Sequence, residues 1–173
     1  YATTCLVRGL RQIAGLPFKT PLNTLAAGFE ARSGLYFANP YLVDWALASA
    51  IAADESAVEL RQRLLADLLG SMNDDYTFGR YDVALSTALA ILSMAALGYR
   101  GRTMRLAQLH LLDFMEAGGV WPATTPFYST VFFDHTRLPS NVFFNLLLND
   151  PRQQFIEVSS GLCQVDLLDG GRT

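Results

Sequence analysis

Three sets of residues have the types that chemistry requires. Asp44 and Asp82 each follow closely on a tyrosine, Tyr41 and Tyr81. Two such carboxylates facing one another across a cleft could cleave a glycosidic bond, one as acid and one as base or nucleophile. Cys5, Cys163, His110 and His135 are the soft and borderline ligands that zinc prefers. Only at Asp134-His135 do an acid and a histidine adjoin. Adjacent residues on a helix project about 100° apart, so that pair converges on one ion only where a helix has ended. No CxxC spacing, HExxH, GxSxG, P-loop or GxGxxG occurs, and we expect neither a metal nor a cofactor. Asp74-Asp75, in "NDDY", are the third set, and adjacent Asn and Asp residues are ordinary turn chemistry.

These groups sit in a strongly apolar frame. Of 173 residues, 51% are hydrophobic and 17% charged, enough to build a core without disulfide or metal staples. The net charge of -3 offers no basic field for nucleic acid and no polybasic anchor. The two cysteines lie near opposite ends, as in a protein kept reduced. The longest apolar run, Val83 to Tyr99, is short of a bilayer span and carries three hydroxyl residues, which suits a buried core helix. We therefore expect a cytoplasmic or peripheral-membrane protein, with a small apolar molecule, a membrane surface or a second copy as partner, and no nucleic acid. The chain opens at Tyr1 within a helix-like stretch, so we expect it to be part of a longer protein.

The positioning elements recur. A loop aromatic, a short gap, a second aromatic and an apolar helix follow one another in "LYFANPYLVDWALASAIAA", "YTFGRYDVALSTALAILSM" and "VWPATTPFYSTVFF". Phe37 to Phe78 is 41 positions and Phe78 to Trp121 is 43, and "YATTCLV" at Tyr1 echoes "YSTVFFD" at Tyr128. A near-constant period of this length is the mark of stacked helical units. Each unit pairs two kinds of helix. Residues 55–71 place Val58, Leu60, Leu64, Leu65, Leu68 and Leu69 on one stripe and charges on the other, and residues 102–117 show Met104, Leu109, Leu112 and Met115 against Arg102, Arg105 and Glu116. Residues 40–53 and 82–98 are apolar all round, apart from Asp44 and Asp82 near their starts, where a helix dipole favours an acid. Alternating wet and dry helices predict an all-α fold of two layers, the dry helices inside: an α/α toroid or solenoid forming one domain over 1–173. In the tail 141–173, "NVFFNLLL" could form a short outer helix after Pro139-Ser140, whereas "QQFIEVSSGLCQVDLLDGG" keeps no helical stripe and could be a strand or a final helix.

"RLAQLHLLDFMEAGGVWP" resembles the QW-type repeat of terpene cyclases and protein prenyltransferases, where an outer helix ends in a glutamine and then Gly-x-Trp. Gly119-Val120-Trp121 supplies the Gly-x-Trp, Arg105, Leu111 and Leu112 fit the helix, and Met115 stands at the glutamine position. The resemblance extends by pattern over about residues 22–130. It implies an incomplete α/α toroid whose inner helices surround an apolar cavity for an isoprenoid. Trp45, Tyr81 and Tyr128 would line it and face a carbocation with their π-clouds, Asp44 and Asp82 would lie at its mouth, and Asp134 and His135 are further candidate ligand-binding residues. It implies Trp121 as the joint between repeats, Gly118-Gly119 having ended the outer helix. The family's DxDD acid is absent, since "NDDY" lacks the leading aspartate, and the Asp-x-Cys of its zinc enzymes is absent too. Two other readings stand beside it: a non-catalytic interaction module on the same two-layer array, and an α/α barrel acting on sugars through Asp44 and Asp82.

Overall fold

A computed structural model describes residues 1–33, 39–115 and Trp121. Tyr128, Asp134, His135, Phe37, Gly118, Gly119 and the segment 141–173, all named above, lie outside the described residues. Six α-helices follow one another there: α1 (Ala2–Ile13), α2 (Leu22–Glu30), α3 (Pro40–Ile51), α4 (Val58–Gly70), α5 (Val83–Ala96) and α6 (Arg102–Asp113). No strand occurs among the described residues, only one isolated bridge between Met72 and Phe78.

Local chemistry sets these boundaries. Proline opens α3 at its first position, where its missing N–H costs nothing, and the Asn39 side chain accepts from the Tyr41 N–H at 3.0 Å. Asp54 caps a short 3-10 turn, Glu55–Ala57, by accepting from the Ser56 N–H at 2.9 Å, and α4 continues from it. The helices differ in burial as their charge patterns predict. Ten of the fourteen residues of α5 are buried and seven of the twelve of α3, against three of thirteen in α4 and three of twelve in α6.

Along the row α1, α3, α5, each helix packs on the next-but-one helix in sequence. α3 lies between α1 and α5, and α6 packs on α5. Arg32 just beyond α2 pairs with Asp67 of α4, and Glu30 of α2 pairs with Arg63 of α4. Such next-but-one contacts are what repeated two-helix units produce when they stack. At the α1–α2 junction the Tyr1 ring lies over Gly28, where a Cβ would fall 2.1 Å from the ring, and the Tyr1 hydroxyl donates to the Leu25 carbonyl at 2.8 Å.

The hydroxyls of the apolar helix α5 have specific partners. The Thr87 hydroxyl oxygen accepts from the Phe78 N–H at 3.0 Å; Ser86 accepts from the Asn39 side chain at 2.9 Å; Ser93 donates back to the Leu89 carbonyl at 2.7 Å. Two of the three therefore tie α5 to the loops before α3 and α5, and each of these buried hydroxyls has a hydrogen-bond partner within the core.

The stripe expected on α6 is corrected. Met104, Ala107 and Leu111 are buried, whereas Leu109, Leu112 and Met115 are exposed. At 100° per residue Leu109 lies about 140° and Leu112 about 80° around the helix from Met104, so leucine content identified the wrong face and the small Ala107 marked the right one.

Candidate functional site

Asp44 lies in the second turn of α3, half-buried, within electrostatic reach of Asp67 on α4, Arg32 just beyond α2 and Tyr1 before α1. Burial pushes its carboxyl up to about 7; the negative charge of Asp67 adds to the effect and Arg32 opposes it. Helix-dipole stabilisation would move that carboxyl the other way, so burial and not the dipole governs it. Asp67 itself is held below the usual carboxylate range by its bonds to Arg32, both at 2.6 Å. The neighbouring Tyr1 phenol is raised by burial, with Cys5 and Asp44 adding to it. Burial also raises the Cys5 thiol, to about 11, so Cys5 is a neutral core side chain at pH 7 and not a thiolate ready to bind metal. A carboxyl near half-protonation beside a phenol could exchange a proton with a bound molecule, and Trp45 next to it is half-buried against the core.

The second acid is placed differently. Asp82 is not inside α5 but at its N-cap, with φ of 48° and an exposed side chain that makes no capping bond. Tyr81 beside it is 87% exposed, whereas Tyr41 is buried, edge-on to Phe78 at 5.8 Å. The two Tyr/Asp sites are thus not equivalent. The charges acting on Asp44 are those of Asp67 and Arg32, with no contribution from Asp82.

Asp74 and Asp75 occupy a solvated turn. The Thr77 N–H and hydroxyl donate to Asp75 at 3.1 and 2.6 Å and lower its carboxyl. His110 is half-exposed on α6, stacked on Tyr76 at 6.4 Å, its Nδ1 3.5 Å from Asp113. Among the described residues no three His, Cys, Asp or Glu side chains gather closely enough to hold a metal ion. Trp121 packs half-buried against the core and its indole N–H donates to the Leu111 carbonyl at 3.0 Å, near the end of α6. The Leu111 carbonyl also accepts from the Phe114 N–H at 3.3 Å, so the indole adds a second donor at the helix end and ties the chain after α6 back to it, which suits a joint.

One buried charge escaped the sequence reading. Arg8, 3% exposed, donates to Asp54 at 2.6 Å, to the Thr20 carbonyl at 3.2 Å and to the Ala50 carbonyl. The signal was its register: Cys5, Arg8 and Gly9 share the inward face of α1.

No family model matches the chain, and no curated protein or solved structure matches it. The likeness to terpene cyclases and prenyltransferases rests on the quoted residues alone.

Proposed function

We propose that this chain is a helical-repeat binding module that engages its partner through apolar surface, its two layers belonging to an α/α toroid or solenoid. The observation that carries this reading is a run of large apolar side chains, Val7, Leu10, Ile13, Leu16 and Phe18, all exposed at the α1 end of the array. Contiguous exposed apolar surface on a folded protein marks an interaction site. The middle of α5, Leu85 to Met94, is buried on every side, so that helix serves as core and supports the surface. The test is fluorescence of a hydrophobic dye. The protein should bind it, and Leu10→Asp with Ile13→Asp should remove most of the signal while leaving the far-ultraviolet spectrum intact. An unchanged dye signal in that variant would refute the assignment of the surface to α1.

A second reading, an isoprenoid-binding relative of the terpene cyclases, draws support from Asp44. It is a carboxyl near half-protonation at pH 7, on a helix of the α1–α3–α5 row and next to the half-buried Trp45. An isoprenoid diphosphate should then raise the melting temperature of the protein, and Asp44→Asn should reduce that shift. No shift at saturating ligand would dispose of it.

A further inference from the structure

We propose that the exposed stripe of α1, together with the loop that folds back on it, docks on an anionic lipid bilayer. The inference rests on the reading of this face as the binding surface and names its partner. Val7, Leu10 and Ile13 recur at three-residue spacing along one side of α1, with Leu10 and Ile13 65% and 64% exposed. The side away from Val7 and Leu10, formed by Ala2, Cys5, Arg8 and Gly9, is packed into the core, while Ile13, one turn beyond Gly9, is exposed where the helix runs past its neighbours, so Val7 and Leu10 are held outward by a rigid support.

The loop after α1 extends the same surface on a fixed frame. The Leu16 N–H donates to the Arg11 carbonyl at 2.9 Å and Arg11 Nε donates to the Pro17 carbonyl at 3.0 Å. Arg8 holds the Thr20 carbonyl, and its guanidinium lies 4.0 Å from the centre of the Phe18 ring. Leu16 and Phe18 are therefore presented by a stapled turn, still exposed.

Charge decides the occupant. The net charge of -3 conceals an asymmetry: from residue 1 to residue 29 there are Arg8, Arg11 and Lys19 and no Asp or Glu. Arg8 is neutralised inside by Asp54, which leaves Arg11, half-exposed, and Lys19, exposed, as the cations fringing the stripe. A symmetric dimer through this face would bring like charges together as it buried the leucines. Anionic headgroups would instead attract both cations while the acyl boundary takes the apolar side chains, the arrangement of interfacial helices. With twelve residues α1 is about 18 Å long, and among the described residues no helix is long and apolar enough to cross a membrane. The contact is thus an in-plane one, reversible and weakened by salt.

Co-sedimentation of the full chain with vesicles tests this. Phosphatidylcholine vesicles containing roughly one third phosphatidylserine should bind the protein, pure phosphatidylcholine vesicles should bind it far less, and added salt should release it. Arg11→Gln with Lys19→Gln should weaken binding about thirty-fold, from the typical contribution of a cation at such a surface. Lys19→Gln alone, which leaves the Arg11–Pro17 bond in place, should account for about a five-fold part of it. Leu10→Asp with Ile13→Asp should abolish binding, whereas Leu109→Asp with Leu112→Asp, exposed on α6, should leave it unchanged. Equal binding to both vesicle types, or none to either, would overturn the proposal. So would equal losses in the α1 and α6 variants, or a lipid-free dimer in sedimentation that Leu10→Asp dissociates. Dye bound through the α1 stripe without any preference for anionic vesicles would leave the binding-module reading standing and remove the lipid one.

Discussion

Arg8 joins α1 to the end of α3 and to the turn before α4, because its guanidinium reaches both the Ala50 carbonyl and Asp54. Removing one partner of a buried ion pair leaves the other charge unpaired, so Arg8→Ala should destabilise the fold by roughly 3–5 kcal/mol in denaturant titrations. Asp54→Asn should cost less, since an amide can still accept from Ser56. Burial alone would raise the Asp54 carboxyl, but the bonds from Ser56 and Arg8 outweigh it and hold the group below its ordinary range. That stability is present above the unfolded carboxylate value near 4 and is lost as pH falls through the lower folded value. Asp44 has the opposite sign. Its folded value is raised to about 7, so the folded state is favoured in full below about 4 and loses that contribution as pH rises through 7. Asp44→Asn should therefore stabilise the protein by roughly 1–3 kcal/mol at pH 8, after discounting for its partial exposure, and hardly at all at pH 4. Equal effects at both pH values would show that Asp44 keeps an ordinary carboxyl.

The end of α6 depends on Trp121, which sits past the helix yet bonds back to Leu111. Trp121→Ala removes a half-buried aromatic together with its hydrogen bond to the Leu111 carbonyl, and should lower stability by roughly 2–4 kcal/mol. Trp121→Phe keeps most of the packing and should cost about 1 kcal/mol for the hydrogen bond. An unshifted melting temperature for the alanine variant would end the joint reading. The period that singled out Trp121 also singled out Phe78, which is fully buried against Tyr41, so loop aromatics at this spacing act in packing at both described positions.

Across the array, protection should fall from the middle outward. α5 is enclosed, α3 is flanked by α1 and α5, and α1 has one face in water. Native-state hydrogen exchange should find the amides of residues 89–94 opening only with global unfolding, and those of residues 10–13 opening sooner. Equal protection in both segments would mean that α1 is covered by something in solution.

Element type and degree of burial were legible from pattern alone. Helix period and charge content identify α3 and α5 as dry and α4 as wet, because a charge left in a core is costly and selection of residues along a helix records that cost directly. The near-repeat in the chain likewise anticipates stacking of alternate helices. The site was much less legible. Asp44 and Asp82 look alike as letters beside tyrosines, yet one is half-buried under the influence of Asp67 and Arg32 and the other stands in water at a helix cap. A pKa depends on which distant charges and how much water surround a group, and one-dimensional spacing carries neither quantity. Leu109 and Leu10 make the same point for surface: which apolar side chains stay outside depends on where the neighbouring helices stop, and that is a property of the packed array.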